Sequence, residues 1–275
     1  MRGWTLGSGS RGNALVLESA GHYLLVDCGF GPRTLAKRLQ LIGVDPEAIE
    51  GLVLTHEHQD HADGAARAQH KWRWPVYASA GTLAALPKIE ARWRRPLTAG
   101  AMASARADTG AFQLEGVAVP HDARAPLAYA ITATATGERV GIAHDLGAVP
   151  DALPALFARC DALCIEANHD REMLRTGPYP PALQARIRGG RGHLDNATTG
   201  TLVASLAHRG LRHVVLLHLS ETNNTPAMAE AAVTATVRRA GCRGVVRAAP
   251  GRAPAAVFGG AGDAMRAVGQ LALAL

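Results

Sequence analysis

Three histidines and one aspartate occur within six consecutive residues of this chain, spaced as H-x-H-x-D-H. The motif follows the apolar run Leu52-Val53-Leu54 after one residue, Thr55, and its members are His56, His58, Asp60 and His61. Neutral imidazole nitrogens and carboxylate oxygens are the ligands that zinc and its first-row neighbours bind. A short apolar run is typical of a buried strand, so the spacing predicts a metal site at a strand end. The alternative is a group of ordinary surface or core histidines.

Four further candidate residues stand where other predicted strands or loops end, namely His121, Asp145, His193 and His218. Functional side chains of α/β folds collect at such ends, so we expect these four to join the same site. His144 precedes Asp145 and competes with it as a ligand. We favour Asp145, because one carboxylate can bridge two cations and neutralises more charge than an imidazole.

The elements that must position these residues alternate along most of the chain. Periodicity and turn residues predict strands over 1–6, 14–18, 23–26, 52–54, 76–78, 112–119, 127–135, 140–143, 162–166, 214–217 and 245–247. Helices are predicted over 32–41, 65–71, 81–86, 151–159, 196–208 and 227–240, with a Pro/Gly/Arg-rich loop over 176–192. This order indicates an α/β domain over 1–251, with halves of roughly 1–120 and 121–251, followed by an Ala/Gly-rich tail over 252–275.

The first predicted loop is rich in glycine, and Gly7, Gly9 and Gly12 match G-x-G-x-x-G. A dinucleotide-binding fingerprint must open a helix, whereas a β-rich run follows here, so we reject that interpretation. The loop can still present backbone N–H groups to a phosphate. We therefore include Ser8 and Ser10 among the candidate substrate-binding residues.

The composition is that of a globular protein, and its charge is basic. The chain has 275 residues, a net charge of +6 and a pI of about 9.5, and nearly all of its basic residues are arginines. Arginine binds phosphate bidentately, which favours a nucleic-acid partner, although a GC-rich coding sequence would give the same bias. Arg186, Arg188 and Arg191 are candidates for the nucleic-acid backbone, with a solvated loop as the alternative.

The chain shows no apolar stretch near the ~18 residues of a membrane helix, and its first residues are too few and polar for a signal peptide. We therefore expect a cytoplasmic protein without a membrane partner. Cysteines stand at positions 28, 160, 164 and 242 without a C-x-x-C motif, so we interpret them as small buried side chains.

The ligand pattern as a whole resembles the metallo-β-lactamase superfamily, and the resemblance extends from Thr5 to about Arg247. It implies a four-layer αββα sandwich. It further implies that one metal ion is bound by His56, His58 and His121, a second by Asp60, His61 and His218, with Asp145 bridging both. Asp27, at the end of an early strand, corresponds to the aspartate that braces the metal loop in that superfamily.

Within the superfamily the chain is similar to the YycJ/WalJ-like metallo-hydrolases. The matching segments are 7–13, 55–61, 121–123, 145–147, 166–170, 192–194 and 217–220. That resemblance implies a DNA exonuclease acting from the 5′ end, related to the tRNA 3′-processing endonuclease. The chain departs from the pattern at His144, where threonine is expected, at Asp195, where serine is expected, and in the tail after 252.

The resemblance implies a two-metal hydrolase that uses zinc or manganese. Two divalent cations ~3.5–4 Å apart share a bridging water and lower its pKa toward ~7, which provides a hydroxide nucleophile at neutral pH. Asp60 is expected to orient the attacking water, and His193 to contact the scissile phosphate or assist the leaving group. For His193 a solvent-exposed histidine at a helix start is the alternative. Glu166 is expected to hydrogen-bond a metal-binding imidazole.

Two other functions are compatible with the sequence. A hydrolase of the same fold acting on a small thioester, lactone or cyclic nucleotide would carry the same ligands. A non-catalytic, metal-stabilised nucleic-acid binding module is disfavoured, because it has no need of the complete ligand set. No obligate protein partner is inferred.

Overall fold

The computed structural model describes residues 1–97, 107–108 and 110–259 of the chain. In chain order its strands are β1 (Arg2–Gly7), β2 (Ala14–Ser19), β3 (His22–Val26), β4 (Ile49–Val53), β5 (Val76–Ser79), β6 (Arg94–Leu97), β7 (Ala107–Asp108), β8 (Phe112–Ala118), β9 (Leu127–Ala133), β10 (Arg139–Ala143), β11 (Ala162–Glu166), β12 (His213–Leu217), β13 (Val245–Ala248) and β14 (Ala255–Phe258). Its helices are α1 (Pro32–Leu41), α2 (Gln59–Ala62), α3 (Ala65–Trp72), α4 (Ala80–Ala85), α5 (Ala152–Phe157), α6 (Arg171–Thr176), α7 (Pro181–Arg188), α8 (Asn196–Ser205) and α9 (Pro226–Arg239).

The strands form two mixed sheets of seven strands each. The first has the order β14-β1-β2-β3-β4-β5-β6, and the second β13-β12-β11-β10-β9-β8-β7. In each sheet one half is antiparallel and the other parallel, with β3 to β6 parallel in the first and β10 to β13 parallel in the second. The parallel connections run through helices, as crossovers between parallel strands require.

The two sheets pack face to face and carry helices on their outer faces. Strand β12 shows the arrangement, because its side chains alternate between two apolar clusters. Val215 and Leu217 pack in the cluster between the sheets, while Val214 and Leu216 pack in the cluster that includes Val233 of α9. Burial of both faces explains why the central strands are almost uninterruptedly apolar. The predicted αββα sandwich is confirmed.

The sandwich brings the ends of several strands to one site. Glu166 is the last residue of β11, and the segments that follow β4, β8, β10 and β12 contain His56, His121, Asp145 and His218, at the carboxyl edge where α/β folds bind ligands. None of the helices in the part of the chain that the structure describes is long and apolar enough to cross a membrane. All four cysteines are free and buried, as predicted.

The structure corrects the predicted domain boundaries at two places. The strand β14, which the sequence analysis assigns to the tail, pairs with β1 in the first sheet. Strands β7 and β8, in the predicted first half, belong to the second sheet. Residues 260–275 of the predicted tail lie outside the described residues.

The loop predicted over 176–192 contains the helix α7. Its proline at the first turn, Pro181, suits a helix start, because the missing N–H has no partner there in any helix. The clustered Pro, Gly and Arg residues around the helix concealed this signal in the sequence.

Candidate metal centre

The H-x-H-x-D-H motif begins at the end of β4 and continues into the one-turn helix α2. His56 is buried, and its Nδ1 lies 3.0 Å from Oγ1 of Thr55. Helix α2 begins at Gln59 and carries Asp60 and His61 in its single turn. The abrupt change from extended strand to helical turn presents side chains of the motif to one point beyond the sheet edge.

Four overlapping groups of candidate ligands meet around this point, and in each group the ligand atoms lie within 4.8 Å of one another. Two groups contain two residues of the motif each, namely His56, His58, His121 and Asp145, and Asp60, His61, Asp145 and His218. Asp145 belongs to both. These sets coincide with those that the superfamily resemblance implies.

The carboxylate of Asp145 lies at the junction of the two groups. Its Oδ2 lies 3.3 Å from Nε2 of His56 and 3.2 Å from Nε2 of His61. Its Oδ1 lies 3.5 Å from Nδ1 of His218. Oδ2 therefore lies between the two groups and Oδ1 faces the second, so this carboxylate is placed to be shared between them.

Buried atoms without partners show that the residues present fit bound cations. Nε2 of His56 and Oδ1 of Asp145 are both buried and make no hydrogen bond within the described structure. A buried polar atom left without a partner costs about 1–3 kcal/mol, and a charged one more. Both atoms face other ligand atoms rather than donors, so a divalent cation is the partner that would satisfy them.

In three of the candidate ligand imidazoles, the ring nitrogen Nδ1, which faces away from the other ligands, contacts another group of the protein. Nδ1 of His61 lies 2.7 Å from Oδ2 of Asp27, and Nδ1 of His121 lies 3.1 Å from the carbonyl oxygen of Gly192. The Nδ1 of His56 faces Thr55, as described above. Such contacts fix the ring orientation and leave Nε2 for a metal ion.

Burial and neighbouring charges set the protonation of the ligands. Burial, together with the neighbouring His61, lowers the pKa of His56 to about 4, and burial also lowers the pKa of His218. Both imidazoles are therefore neutral at pH 7. Burial opposes the charge of Asp145, but His218 and His61 outweigh it and hold its pKa well below the usual range.

Asp27 braces the metal loop from behind, where the resemblance places it. Its buried carboxylate accepts hydrogen bonds from the backbone N–H and the hydroxyl of Thr55, and contacts Nδ1 of His61 and of His144 at 2.7 and 2.8 Å. His144, which competes with Asp145 in the sequence, therefore faces Asp27 and lies outside both ligand groups. Asp195, a second departure from the family pattern, caps α8 by accepting from two of its N–H groups.

Three of these residues have left-handed backbone conformations that are uncommon outside glycine. The φ angles are 59° for Asp27, 48° for Asp145 and 55° for His218. Each residue directly follows a strand or lies within two residues of its end. Strained conformations of this kind persist where surrounding contacts hold them, and they concentrate at functional sites.

Glu166 holds His193 rather than one of the ligands in the two groups, which corrects the sequence expectation. Its Oε1 lies 2.6 Å from Nδ1 of His193, and its Oε2 accepts from the N–H groups of Leu146 and Leu194 at 2.8 and 3.2 Å. Burial disfavours a charged His193, but the Glu166 carboxylate outweighs it and raises the pKa of His193 to about 9. The pair therefore supplies a protonated imidazole beside Asp145.

Asn13 is a site residue that the sequence analysis missed. Its buried Nδ2 lies 3.1 Å from Oδ2 of Asp60 and 2.9 Å from Nε2 of His61, and its backbone N–H donates to the carbonyl of Asp60. It thereby ties the glycine-rich loop to α2. A single asparagine in a polar loop gives no periodic signal, so the sequence did not distinguish it.

The predicted substrate-binding residues have different positions. Ser8 is buried, and its hydroxyl accepts the N–H of His218, so it supports a ligand rather than a substrate. Ser10 and Arg186 line a cavity of about 420 Å³ that opens on the candidate ligands. Arg186 there pairs with Asp122 at the cavity wall. Arg188 and Arg191 are exposed and do not line this cavity.

Comparison with known proteins agrees with this architecture. A sequence profile described as the Beta-lactamase superfamily domain matches residues 22–219. Human tRNase Z, short form, has a similar fold, with a TM-score of 0.61 and 17% sequence identity, covering 94% of this chain and all of that one.

Two relatives match over most of their length. Exodeoxyribonuclease WalJ of Streptococcus pneumoniae serotype 2 (strain D39 / NCTC 7466) is 32% identical over 231 residues, which cover 82% of this chain and 83% of that protein. Exodeoxyribonuclease YycJ of Bacillus anthracis is 29% identical over 240 residues, covering 86% and 89%. Together with the clustered imidazoles and carboxylates, this likeness confirms the predicted class of metal-dependent hydrolase. The chain belongs to the metallo-β-lactamase superfamily, in the family that includes WalJ and YycJ.

Proposed function

We propose that this protein is a two-metal phosphodiesterase that removes nucleotides from the 5′ end of DNA. The observation that carries the proposal is the position of Asp145, which is shared by two ligand groups beside an open cavity. A site with room for two cations suits phosphodiester hydrolysis, in which charge builds up on both the attacking and the leaving oxygen.

His56, His58, His121 and Asp145 would hold one cation, and Asp60, His61, His218 and Asp145 the other. When bound, divalent zinc or manganese ions lower the pKa of water and screen the charge of the phosphate. The chain supplies neutral imidazoles at His56 and His218, so these two ligands need not lose a proton first.

The remaining steps belong to side chains beside the ligands. Asp60 is held by Asn13 and is partly exposed, so its carboxylate is able to orient the attacking water. His193 is fixed through Nδ1 by Glu166, which leaves Nε2 to bind the scissile phosphate and to donate a proton to the leaving oxygen. The negatively charged Asp60 would thus act on the attacking water, and the positively charged His193 on the leaving oxygen.

The names of the relatives support DNA as the substrate, because both WalJ and YycJ are called exodeoxyribonucleases. The arginine-rich composition is compatible with that substrate. We propose the cytoplasm as the location of the reaction, and we infer no obligate protein partner.

The direct test uses linear duplex DNA labelled at the 5′ end in one sample and at the 3′ end in another. With zinc or manganese present, the wild type is expected to release a labelled mononucleotide from the 5′ label from the earliest time points. The 3′ label is expected to remain on strands that shorten progressively. The variant His58→Ala, which loses one ligand, is the matched control and is expected to release nothing.

Two results would contradict the proposal. Cleavage of covalently closed circular DNA at the same rate would indicate an endonuclease. No cleavage of any DNA by protein that holds both metal ions would favour the small-molecule hydrolase, and a screen of thioesters, lactones and cyclic nucleotides would follow.

A further inference from the structure

The cavity beside the candidate metal centre has one apolar wall that the mechanism above does not use. On one side it is lined by His121, His193 and His218. The apolar wall is formed by Tyr179, Leu183 and Ile187, which we call the α7 shelf. An apolar surface facing candidate metal ligands has no role in binding or activating a phosphate. We therefore expect it to bind a different part of the substrate.

The α7 shelf belongs to a helix that contributes little to the core. Among the eight residues of α7 no side chain is fully buried, although Leu183 and Ile187 lie four residues apart on the same face. Both are half-buried and line the cavity, as does the half-buried Tyr179 that precedes the helix. The apolar face of this helix therefore lines the cavity, beside Arg186 of the same helix.

The shelf is fixed in relation to the catalytic side. The side-chain amide of Gln184 donates to the carbonyl of Tyr179 at 2.9 Å, and the backbone N–H of His193 donates to the carbonyl of Ile187 at 2.9 Å. A Cβ atom at Gly192 would lie 2.2 Å from that same carbonyl oxygen, so only glycine permits this close approach. Backbone contacts thus tie the shelf to His193.

The size of the cavity and the chemistry of its side chains indicate which part of the substrate it binds. A volume of about 420 Å³ is within the range of small-ligand pockets and is far too small for a base-paired duplex end. Aromatic and aliphatic side chains stack on nucleobases without regard to sequence, because every base has a π-face. A phosphate at the metal ligands and a base on the shelf together amount to one nucleotide.

We infer that the α7 shelf binds the base of the 5′-terminal nucleotide, and that this nucleotide enters the site unpaired from its complement. The inference rests on the proposed function and specifies its substrate as a splayed or single-stranded DNA end. Tyr179 provides the aromatic face, and Leu183 and Ile187 extend it. Non-selective stacking suits an enzyme that must remove any of the four nucleotides in turn.

The test compares the kcat/KM values of two substrates in two proteins. The substrates are single-stranded oligonucleotides with either a normal or an abasic 5′-terminal nucleotide, and the proteins are the zinc-loaded wild type and Tyr179→Ala. For the wild type, the abasic end is expected to lower kcat/KM about tenfold or more, the size of one base–aromatic stack. For Tyr179→Ala the two ends are expected to be cleaved at similar rates, and Tyr179→Phe is expected to restore the difference.

Met228→Ala, which alters an exposed side chain on α9, is the control and should preserve the wild-type preference. Equal loss on normal and abasic ends in Tyr179→Ala would overturn the shelf while leaving the nuclease intact. Failure of the wild type to cleave either oligonucleotide while it still degrades the linear duplex would overturn the shelf alone, whereas failure on the duplex as well would overturn the proposed function. Metal content and melting temperature of each variant distinguish these results from misfolding.

Discussion

At the scale of single residues, the site consists of ligands and of the groups that hold them. Asp27 and Glu166 are both fully buried carboxylates, yet they serve different imidazoles. Asp27 holds His61, a candidate ligand, whereas Glu166 holds His193, which we assign to the substrate. Substitutions of the two carboxylates should therefore have different effects. Loss of Asp27 should change metal affinity, and loss of Glu166 should change turnover.

The change Asp27→Asn is expected to lower zinc affinity by about 10–100-fold, because the amide holds the His61 ring more weakly and does not enhance its basicity. Affinity is measured by competition with a chromogenic chelator. The control is Asp151→Asn, since the Asp151 side chain makes no capping hydrogen bond at the start of α5. Unchanged zinc affinity in Asp27→Asn would show that His61 is held by other contacts.

The change Glu166→Gln is expected to lower kcat by about 10²–10⁴-fold with little change in zinc content, because it removes the charge that keeps His193 protonated. The pKa of His193 is raised, so the protonated form that we assign to the reaction is lost as the pH rises through about 9. In the variant the fall in activity on the basic side should therefore begin at lower pH. Glu47→Gln, at an exposed residue, is the control. If the fall in activity at basic pH begins at the same pH in Glu166→Gln as in the wild type, His193 is excluded as the proton donor.

At the scale of elements, the short helix α2 depends on close contact with the chain after β3. A Cβ atom at Gly29 would lie 2.0 Å from the carbonyl oxygen of Asp60, and one at Gly64 would lie 1.8 Å from that of Phe30. The N–H of Cys28 also donates to the carbonyl of His61. These backbone contacts set the position of two candidate ligands.

The change Gly29→Ala is therefore expected to destabilise the protein by about 1–3 kcal/mol, as overpacking of a close contact does, and to lower its zinc content. Gly190→Ala is the matched control, because a Cβ there meets no atom within 4 Å. Urea unfolding and metal analysis of both variants provide the comparison. Equal stability of the two variants would show that α2 shifts freely without loss of the site.

The sequence predicted the elements best where the signal was local. The ligands of the motif at 56–61 lie in adjacent positions, so their spacing alone indicated a metal site, and apolar strands such as β12 were equally clear. The helix α7 was missed because the surrounding Pro, Gly and Arg residues concealed its local signal, and the contacts of Asn13 were missed because they arise only when distant segments meet. Glu166 was assigned to the wrong imidazole for the same reason.

At the scale of the whole molecule, one edge of the first sheet joins segments from opposite ends of the described chain. The last strand, β14, lies beside β1, and Phe258 is paired with Gly3. A Cβ at Gly3 would lie 2.3 Å from the ring of Phe258, so the ring covers this glycine. No pattern within β14 itself predicted this pairing, since a short Ala-rich segment resembles a tail.

Removal of this ring tests whether β14 is part of the cooperative fold. Phe258 is 6% exposed and packs between the sheets, so Phe258→Ala is expected to lower the free energy of unfolding by about 3–5 kcal/mol. Leu41→Ala, at a side chain that is 51% exposed, should change it by no more than about 0.5 kcal/mol. A similar small effect of both substitutions would place residues after 251 outside the folding unit.

The central claim is that the protein hydrolyses DNA when the residues around Asp145 hold two cations, and its most direct measurement is a titration. Zinc is added stepwise to metal-free protein, and the release of 5′-labelled mononucleotide is measured against the number of ions bound per chain. We predict activity that becomes substantial only as the second ion binds, and none in Asp145→Asn at any zinc concentration. Full activity with one ion bound, or undiminished hydrolysis in the presence of excess chelator, would contradict the account.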